Sequence, residues 1–261
     1  MLLAGCASAP PPAGTPSFGL LGDTPYNAAE VERLENVIDA INAADLRFVV
    51  HVGDIGSAAN ACNDQWLLAR KAQFARIRHP FVLLPGDNEW TDCKDQRGRL
   101  AAWRRIFCDQ EKRIPLERQP GEFCEHVRWE SSGFVFVALN VQGSNNNVAR
   151  PEEHGPRMAA VHAWLDAAAR AAEGKHGLVV LMQANPFITL PRDGYAGLRE
   201  RLAALGQRMP GKVVLVHGDT HIFHDDEPIP GMRRVEVWGS PFVRWLEVSV
   251  SADGLAVRQG P

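Results

Sequence analysis

The 261-residue sequence has no apolar run approaching the roughly 18–20 residues that span a membrane. It has no charge excess either: 28 Lys and Arg stand against 31 Asp and Glu, a net charge of −3. That balance gives no support to a nucleic-acid groove or a basic membrane patch. There is no P-loop, no G-x-G-x-x-G pattern and no nucleophilic-serine motif, so the familiar phosphate-cradling, dinucleotide and serine-hydrolase signatures are excluded. No C-x-x-C spacing occurs, which leaves out the common cysteine metal clusters. Internal repeats and interior linkers are also missing. What remains is 45 % apolar, too apolar for disorder. A chain of this length buries about 70–75 % of its unfolded surface and needs no staples.

Five cysteines are nevertheless present, an odd number. Cys6 lies in Leu3-Ala4-Gly5-Cys6 and is followed by a small, Pro-rich stretch, Ala7 to Gly14. This resembles the lipobox of a bacterial lipoprotein. The resemblance implies lipidation of Cys6, with residues 1–16 as a truncated signal and flexible tether. It implies a periplasmic, outer-membrane-anchored protein that touches the membrane only through that lipid. Only Met1 to Gly5 precede the cysteine, short of the basic and apolar regions a signal needs, as a start codon assigned too late would leave it. A chance cysteine in a disordered N-terminus is the alternative. In an oxidising compartment Cys62, Cys93, Cys108 and Cys124 form an even set with three possible pairings. Reduced, buried cysteines are the alternative to disulfides.

Short apolar runs alternate with helical patterns. Strands are expected at Phe18–Gly22, Phe48–Gly53, Phe81–Leu84, Gly177–Met182 and Val213–Val216, with a hairpin from Val127–Glu130 and Phe134–Leu139. Helices are expected at Asn27–Ala44, Asp64–Arg78, Gln96–Cys108, Pro156–Ala172 and Gly194–Arg208. The C-terminal part reads as antiparallel strands at Arg233–Val237, Phe242–Ser249 and Leu255–Arg258. The βαβαβ start implies parallel strands with crossover helices. Residues 17–261 thus read as one α/β domain of two packed sheets with outer helices.

Four Gly-Asp pairs carry the chemistry. With 23 glycines and 15 aspartates, chance would give about one such pair. Instead Gly22-Asp23, Gly53-Asp54, Gly86-Asp87 and Gly218-Asp219 each close an apolar strand. Sites in α/β sheets form beyond the carboxyl ends of strands. Four carboxylates delivered there repel one another unless cations lie between them. Ordinary turn aspartates are the alternative for any single pair.

This pattern resembles the calcineurin-like metallophosphoesterases, over Phe18 to about His224. The family pattern runs D-x-H, GD, GNH[DE], a His after a strand, then GHxH. The resemblance implies an αββα sandwich of two mixed β-sheets flanked by helices. It implies a dinuclear divalent-metal centre that hydrolyses phosphate mono- or diesters, with small phosphate esters as partners. On this chain Asp23 matches the first Asp and Asp54 the bridging Asp. Asp87 and Asn88 fall in the third motif, Gln183 takes the place of the fourth-motif His, and Asp219 and His221 fall in the last motif. The implied metal ligands are Asp23, Asp54, Asp87, Gln183, Asp219 and His221, and the implied catalytic residues are Asp54, Asn88 and His221. The crevice also makes the loops carrying Cys62 and Cys93 neighbours, which favours Cys62–Cys93 with Cys108–Cys124.

The departures matter. Pro25 stands where the first His belongs, and Asn88 replaces the His that serves as general acid, a loss of typically about 10²–10⁴-fold in rate. Four carboxylates against two divalent ions sum to about zero, so attraction for phosphate falls. An oxygen-rich set favours Mg²⁺, Mn²⁺ or Ca²⁺ over Zn²⁺, with Fe also possible. Tyr26, Asn185, Glu89, His217 and His224 are further candidates for the site. His51 reads as a core histidine, Trp90 as either a stacking platform at the mouth or packing, and Asn140 with Asn145-Asn146-Asn147 as a polar loop that either reaches substrate or lies on the surface. The rival reading is a catalytically impaired binding protein of the cell envelope on the same fold.

Overall fold

The structure is a computed structural model that describes residues 14–108, 114–188 and 190–260. Cys6 and most of the expected tether lie outside the described residues. The elements in chain order are β1 (Ser17–Leu21), α1 (Ala28–Ala43), β2 (Val49–His51), α2 (Ala58–Ala61), α3 (Asp64–Phe74), β3 (Phe81–Leu83), α4 (Gln96–Phe107), β4 (Glu117–Arg118), β5 (Val127–Ser131) and β6 (Phe134–Ala138). They continue with the short turn α5 (Gly143–Asn146), α6 (Pro151–Ala171), β7 (Gly177–Leu181), α7 (Ala196–Arg208), β8 (Val213–His217), β9 (His224–Ile229), β10 (Met232–Glu236), β11 (Leu246–Ser251) and β12 (Gly254–Gln259).

The strands form two mixed sheets. One has the order β12-β11-β1-β2-β3 and the other β4-β5-β6-β7-β8-β10-β9. In the first, β1, β2 and β3 run parallel and β11 returns antiparallel against β1. In the second, β6, β7, β8 and β10 run parallel. Three apolar clusters fill the layers. Phe18, Phe48, Trp129 and Phe136 lie between the sheets, with ring centroids 5.0–5.5 Å apart. Leu34, Ile38, Leu67, Trp103 and Phe107 cover the outside of the five-stranded sheet, and Val161, Leu165, Leu198 and Leu202 the outside of the seven-stranded one. Strands buried on both faces read as continuous apolar runs, which is why these were legible. The expected αββα sandwich is the fold.

Three expectations change. The strand placed at Phe242–Ser249 starts at Leu246, because Phe242 N–H donates to Gly239 O in a turn. The last part is not purely antiparallel: β10 pairs parallel with β8 and antiparallel with β9. The helix expected from Pro156 starts at Pro151, where proline is accommodated at the first helical position and Pro156 is carried inside. Strand β9 escaped notice because its sequence is charged, exposed and contains Pro228, a composition that suits an edge.

Disulfides join Cys62 to Cys93 and Cys108 to Cys124, with Cα separations of 5.6 and 5.8 Å. The first links the loop after β2 to the loop after β3, the pairing expected from loops sharing one crevice. Closing its 31-residue separation removes denatured-chain entropy worth roughly 3–4 kcal/mol. The Cys62→Ala/Cys93→Ala variant should therefore lose about 3 kcal/mol in urea unfolding. An unchanged midpoint would show that the bridge contributes nothing.

Candidate metal centre

Parallel strands deliver their carboxyl ends to one edge of the sandwich. Asp23 follows β1, Asp54 follows β2 and Asp87 follows β3, all from the five-stranded sheet. Gln183 follows β7 and Asp219 follows β8 from the seven-stranded sheet, and the turn α5 follows β6. The hydrogen bonds show that the two sets meet. Asp219 N–H donates to Asp23 Oδ1 at 3.0 Å, and Gln183 Nε2 donates to Asp54 Oδ2 at 3.3 Å. Asp87 is near enough for its charge to raise Asp54. A Cβ at Gly143 would lie 2.6 Å from both Asp87 Oδ2 and Asp219 Oδ1.

The glycines of the pairs are explained by this crowding. A Cβ on Gly86 would sit 1.9 Å from Asp54 Oδ1, and one on Gly218 would sit 1.8 Å from Asp23 Oδ2. The glycine of one pair thus makes room for the aspartate of another. Asp23, Asp54, Asp219 and His221 themselves adopt positive φ (49°, 57°, 82° and 66°), a left-handed conformation that residues other than glycine hold only when their surroundings impose it.

Asp23, Asp54 and Asp87 are buried and Asp219 is half-buried. Among the described residues none of the four pairs with Lys or Arg; the one cationic candidate is His221, whose Nε2 is 3.8 Å from Asp23 Oδ1. Burial, then the Asp219 charge, raises Asp23 well above the ordinary carboxylate range. Burial, then Asp87, Glu89 and Asp23, does the same to Asp54. Asp87 is raised by burial and by Asp92, and Asp219 is pushed up to about 7 by burial and Asp87. Asp23 Oδ2 is buried with no hydrogen-bond partner. Buried carboxylates in this condition hold protons or a cation. The donor set of Asp, amide and phenol oxygens with one imidazole suits a hard divalent ion.

The convergence is not that of a ready-made three-ligand site. Among the described residues, the only three Cys, His, Asp or Glu ligating atoms mutually within 4.8 Å are those of Cys108, Cys124 and Glu125. That pair of cysteines is oxidised, and Glu125 is held by Arg104 at 2.7 and 2.9 Å. At the acidic edge, Tyr26, Asn88 and Gln183 stand between the carboxylates. Tyr26 Oη donates to Asp54 Oδ2 at 2.8 Å and lies 3.2 Å from His221 Nε2. Asn88 Nδ2 donates to Tyr26 Oη and to Asp54 Oδ2, each at 3.0 Å, and Asn88 N–H donates to Asp54 Oδ1 at 3.1 Å. Gln183 Oε1 accepts from Gly143 N–H at 2.6 Å while its Nε2 faces Asp54, so ligation through its oxygen on the Asp54 side requires the amide to turn over.

Neighbouring residues fix these loops. Glu89 is fully buried and accepts from Gly86, Asp54 and Ile55 N–H groups at 2.6, 3.2 and 2.7 Å, tying the second and third Gly-Asp loops together; burial pushes it up to about 7. His51 bridges the first two loops, with Nε2 2.9 Å from Thr24 O and Nδ1 accepting from Gly53 N–H. Those partners make it neutral, and burial lowers it to about 4. His221 Nδ1 faces Ser240 O at 2.7 Å, which leaves Nε2 directed at the cleft.

The other candidates are placed as follows. Asn185 contributes its backbone N–H to Asp219 at 2.9 Å, while its side chain caps Phe187 N–H. His217 is buried beneath the strand end, its Nδ1 facing Gly218 O, and burial lowers it to about 3. His224 pairs with Glu236 at 2.9 Å, and Glu236 also holds the Thr220 backbone N–H and hydroxyl. Trp90 is buried and packs near Arg157, so it is no platform at the mouth. Asn140 is buried against Glu125 rather than exposed to substrate.

The Asn run has a structural use. Ser144 to Asn147 all have φ of 50–57°, one turn of left-handed helix, and Asn tolerates that conformation. Arg157, itself buried, clamps the turn through Asn146 Oδ1, Asn146 O and Glu153. The turn presents Ser144 Oγ to Asp87 Oδ2 at 2.9 Å and Asp92 Oδ1 at 2.7 Å. Sequence reading missed Ser144, Asp92, Glu236 and Arg157. The three successive asparagines were the available signal for the turn.

No family model matches the chain, and no curated protein matches it. Solved structures do. A dimetal phosphatase from Danio rerio is similar at a TM-score of 0.65 and 14 % identity, covering 94 % of this chain and 96 % of that one. A purple acid phosphatase from yellow lupin (Lupinus luteus) seeds is similar at 0.57 and 11 %, covering 94 % and 52 %. An NAD nucleotidase from Haemophilus influenzae is similar at 0.50 and 13 %, covering 94 % and 49 %. The chain spans about half the length of the last two. Likeness at these identities shows a shared fold.

The raised carboxylates set a pH dependence. Metal-free protein keeps a proton on Asp219 and Glu89 up to about pH 7, whereas the unfolded chain loses both near pH 4. The folded state therefore binds more protons across that window, and its stability falls as pH rises from about 4 to 7. Chelator-treated protein should show a melting temperature that drops over this range and recovers when Mn²⁺ or Mg²⁺ is added. A flat profile with no response to either ion would contradict the assignment.

Proposed function

We propose that the chain is a divalent-metal-dependent phosphoesterase acting on small phosphate mono- or diesters. The observation that carries this reading is the convergence of four buried or half-buried carboxylates from both sheets, with Asp219 N–H on Asp23 Oδ1, Gln183 Nε2 on Asp54 Oδ2, Gly143 wedged between Asp87 and Asp219, and no Lys or Arg partner among the described residues. The phosphatase and nucleotidase named among the solved structures of the same fold support it. Asp23, Asp54, Asp87, Asp219, Gln183 and His221, with Tyr26, are the residues that would hold one or two ions. Bound ions supply charge that offsets the carboxylates and stabilises negative charge developing on a phosphoryl group.

The chain's own residues have assignable parts. Tyr26 and Asn88 hold Asp54 Oδ2 in place, and Glu89 and His51 hold the loops that carry Asp54, Asp87 and Asp23. Ser240 fixes the His221 tautomer. Asn88 occupies the place of a general acid, yet its amide donates to Tyr26 and Asp54 and carries no transferable proton. Leaving groups that depart without protonation are therefore the favoured substrates. The same Tyr26–Asn88–Asp54 network favours the second reading, a protein that binds ions or phosphate esters without turnover. Export and an outer-membrane lipid anchor at Cys6 belong to the same proposal, supported by the lipobox-like sequence and by the two disulfides, bonds that persist in oxidising compartments.

Bound metal by elemental analysis, with hydrolysis of bis(p-nitrophenyl) phosphate in Mn²⁺, Mg²⁺ or Zn²⁺, tests the reading. At least one ion per chain is expected, and Asp54→Ala should lose at least about 100-fold in rate, beyond the 10–100-fold typical of outer-shell partners. Bound metal with no rate above Asp54→Ala selects the binding protein. Neither metal nor rate overturns both.

A further inference from the structure

Beside the acidic edge lies an aromatic ledge formed by Trp238 and Phe242, with Trp238 stacked on Phe223 behind it. Phe242 is 43 % exposed and Ile222 is 54 % exposed. Trp238 is half-buried, with its ring 5.1 Å from Phe242. Arg244 lies over both, its guanidinium 5.2 Å from the Trp238 ring and 5.9 Å from the Phe242 ring. Arg244 is exposed and has no carboxylate partner among the described residues, whereas Arg233 and Arg234 on β10 each pair with an aspartate. The rings are tied to the candidate centre by short connections. Ile222 follows His221 directly. Gly239 packs so closely on His221 and Asp23 that a Cβ there would lie 2.7 and 2.6 Å from them. Ser240 O accepts from His221 Nδ1, and two residues beyond it stands Phe242, a reach of at most about 7 Å.

Two features of this ledge point to a ligand. The solvent-exposed Phe242 ring next to a polar cleft offers a stacking face, which any planar ring can use. An unpaired guanidinium held on those rings supplies positive charge next to a centre whose carboxylates leave little attraction for an anion. We infer that Phe242, Ile222, Trp238 and Arg244 form a subsite that takes the planar ring of a ring-bearing phosphate ester whose phosphate lies at the acidic edge. The inference rests on the phosphoesterase reading for where the phosphate goes, and it narrows the substrate class to esters carrying an aromatic or heteroaromatic group.

The test compares adenosine 5′-monophosphate with ribose 5-phosphate, which differ by the ring alone. Calorimetric titration of the Mn²⁺-loaded protein gives both affinities, and hydrolysis of each is followed separately. Stacking of one base on an aromatic residue gives roughly tenfold or more in affinity, so the adenine compound should bind at least about tenfold more tightly. Phe242→Ala should bring the ratio of the two affinities to within about twofold of unity, and Arg244→Gln should lower it in the same direction. Equal affinities in the native protein, a ratio unchanged in Phe242→Ala, or no binding of either compound would overturn the subsite. Ring-selective binding without hydrolysis would leave the subsite standing and refute the phosphoesterase reading. Hydrolysis of both at equal affinity would do the reverse.

Discussion

Four carboxylates gathered at one end of a two-sheet sandwich set the terms for everything around them. Each is delivered by a different strand, three from one sheet and one from the other. Asp54 and Asp23 press on Gly86 and Gly218 so closely that neither glycine has room for a Cβ. Burial raises all four, and among the described residues no lysine or arginine relieves them. Such an arrangement is unfavourable in itself and persists because the surrounding fold holds it. It becomes favourable only with protons or divalent ions between the oxygens.

The supporting structure is consistent with that cost. Glu89 and His51 bind backbone groups of the carboxylate loops, so the loops are cross-linked to one another beneath the aspartates. Four non-glycine residues at the strand ends hold positive φ, and four more form a left-handed turn that leans on Asp87. Arg157 is buried with its hydrogen bonds on that turn and its flanks and its guanidinium near Trp90, which places a costly buried cation in the service of the loop. The Cys62–Cys93 bridge ties the second and third loops from the outside. Rigidity around the acidic edge therefore comes from several independent interactions rather than one.

The layered fold was legible in the sequence because its parallel strands are buried on both faces and read as unbroken apolar runs. Phe48 to Val52, interrupted only by His51, and Val213 to Val216 are examples, and both run on into a Gly-Asp pair. The gathering of Asp23, Asp54, Asp87 and Asp219 at one edge was legible in the same way, because each Gly-Asp pair closes a strand. What was not legible depends on tertiary context. Strand β9 is charged and proline-bearing, so its pairing with β10 is an edge property with no apolar signature. Trp90 reads as an aromatic near a motif, and the fold buries it beside Arg157. Tyr26 stands at a position with no counterpart in the family pattern, and its contact with Asp54 and His221 arises from the fold alone. Ser144 has no motif at all, and its place beside Asp87 follows from the left-handed turn.

The central claim is that divalent ions replace protons among these carboxylates. Proton release on metal binding measures it directly, by titrating Mn²⁺ into chelator-treated protein at pH 5.5 in buffers of different ionisation enthalpy. Asp219, raised to about 7, is protonated there, so the account expects roughly one or more protons released per ion, declining above pH 7. Binding with no proton release at pH 5.5, or no binding at all, would contradict it.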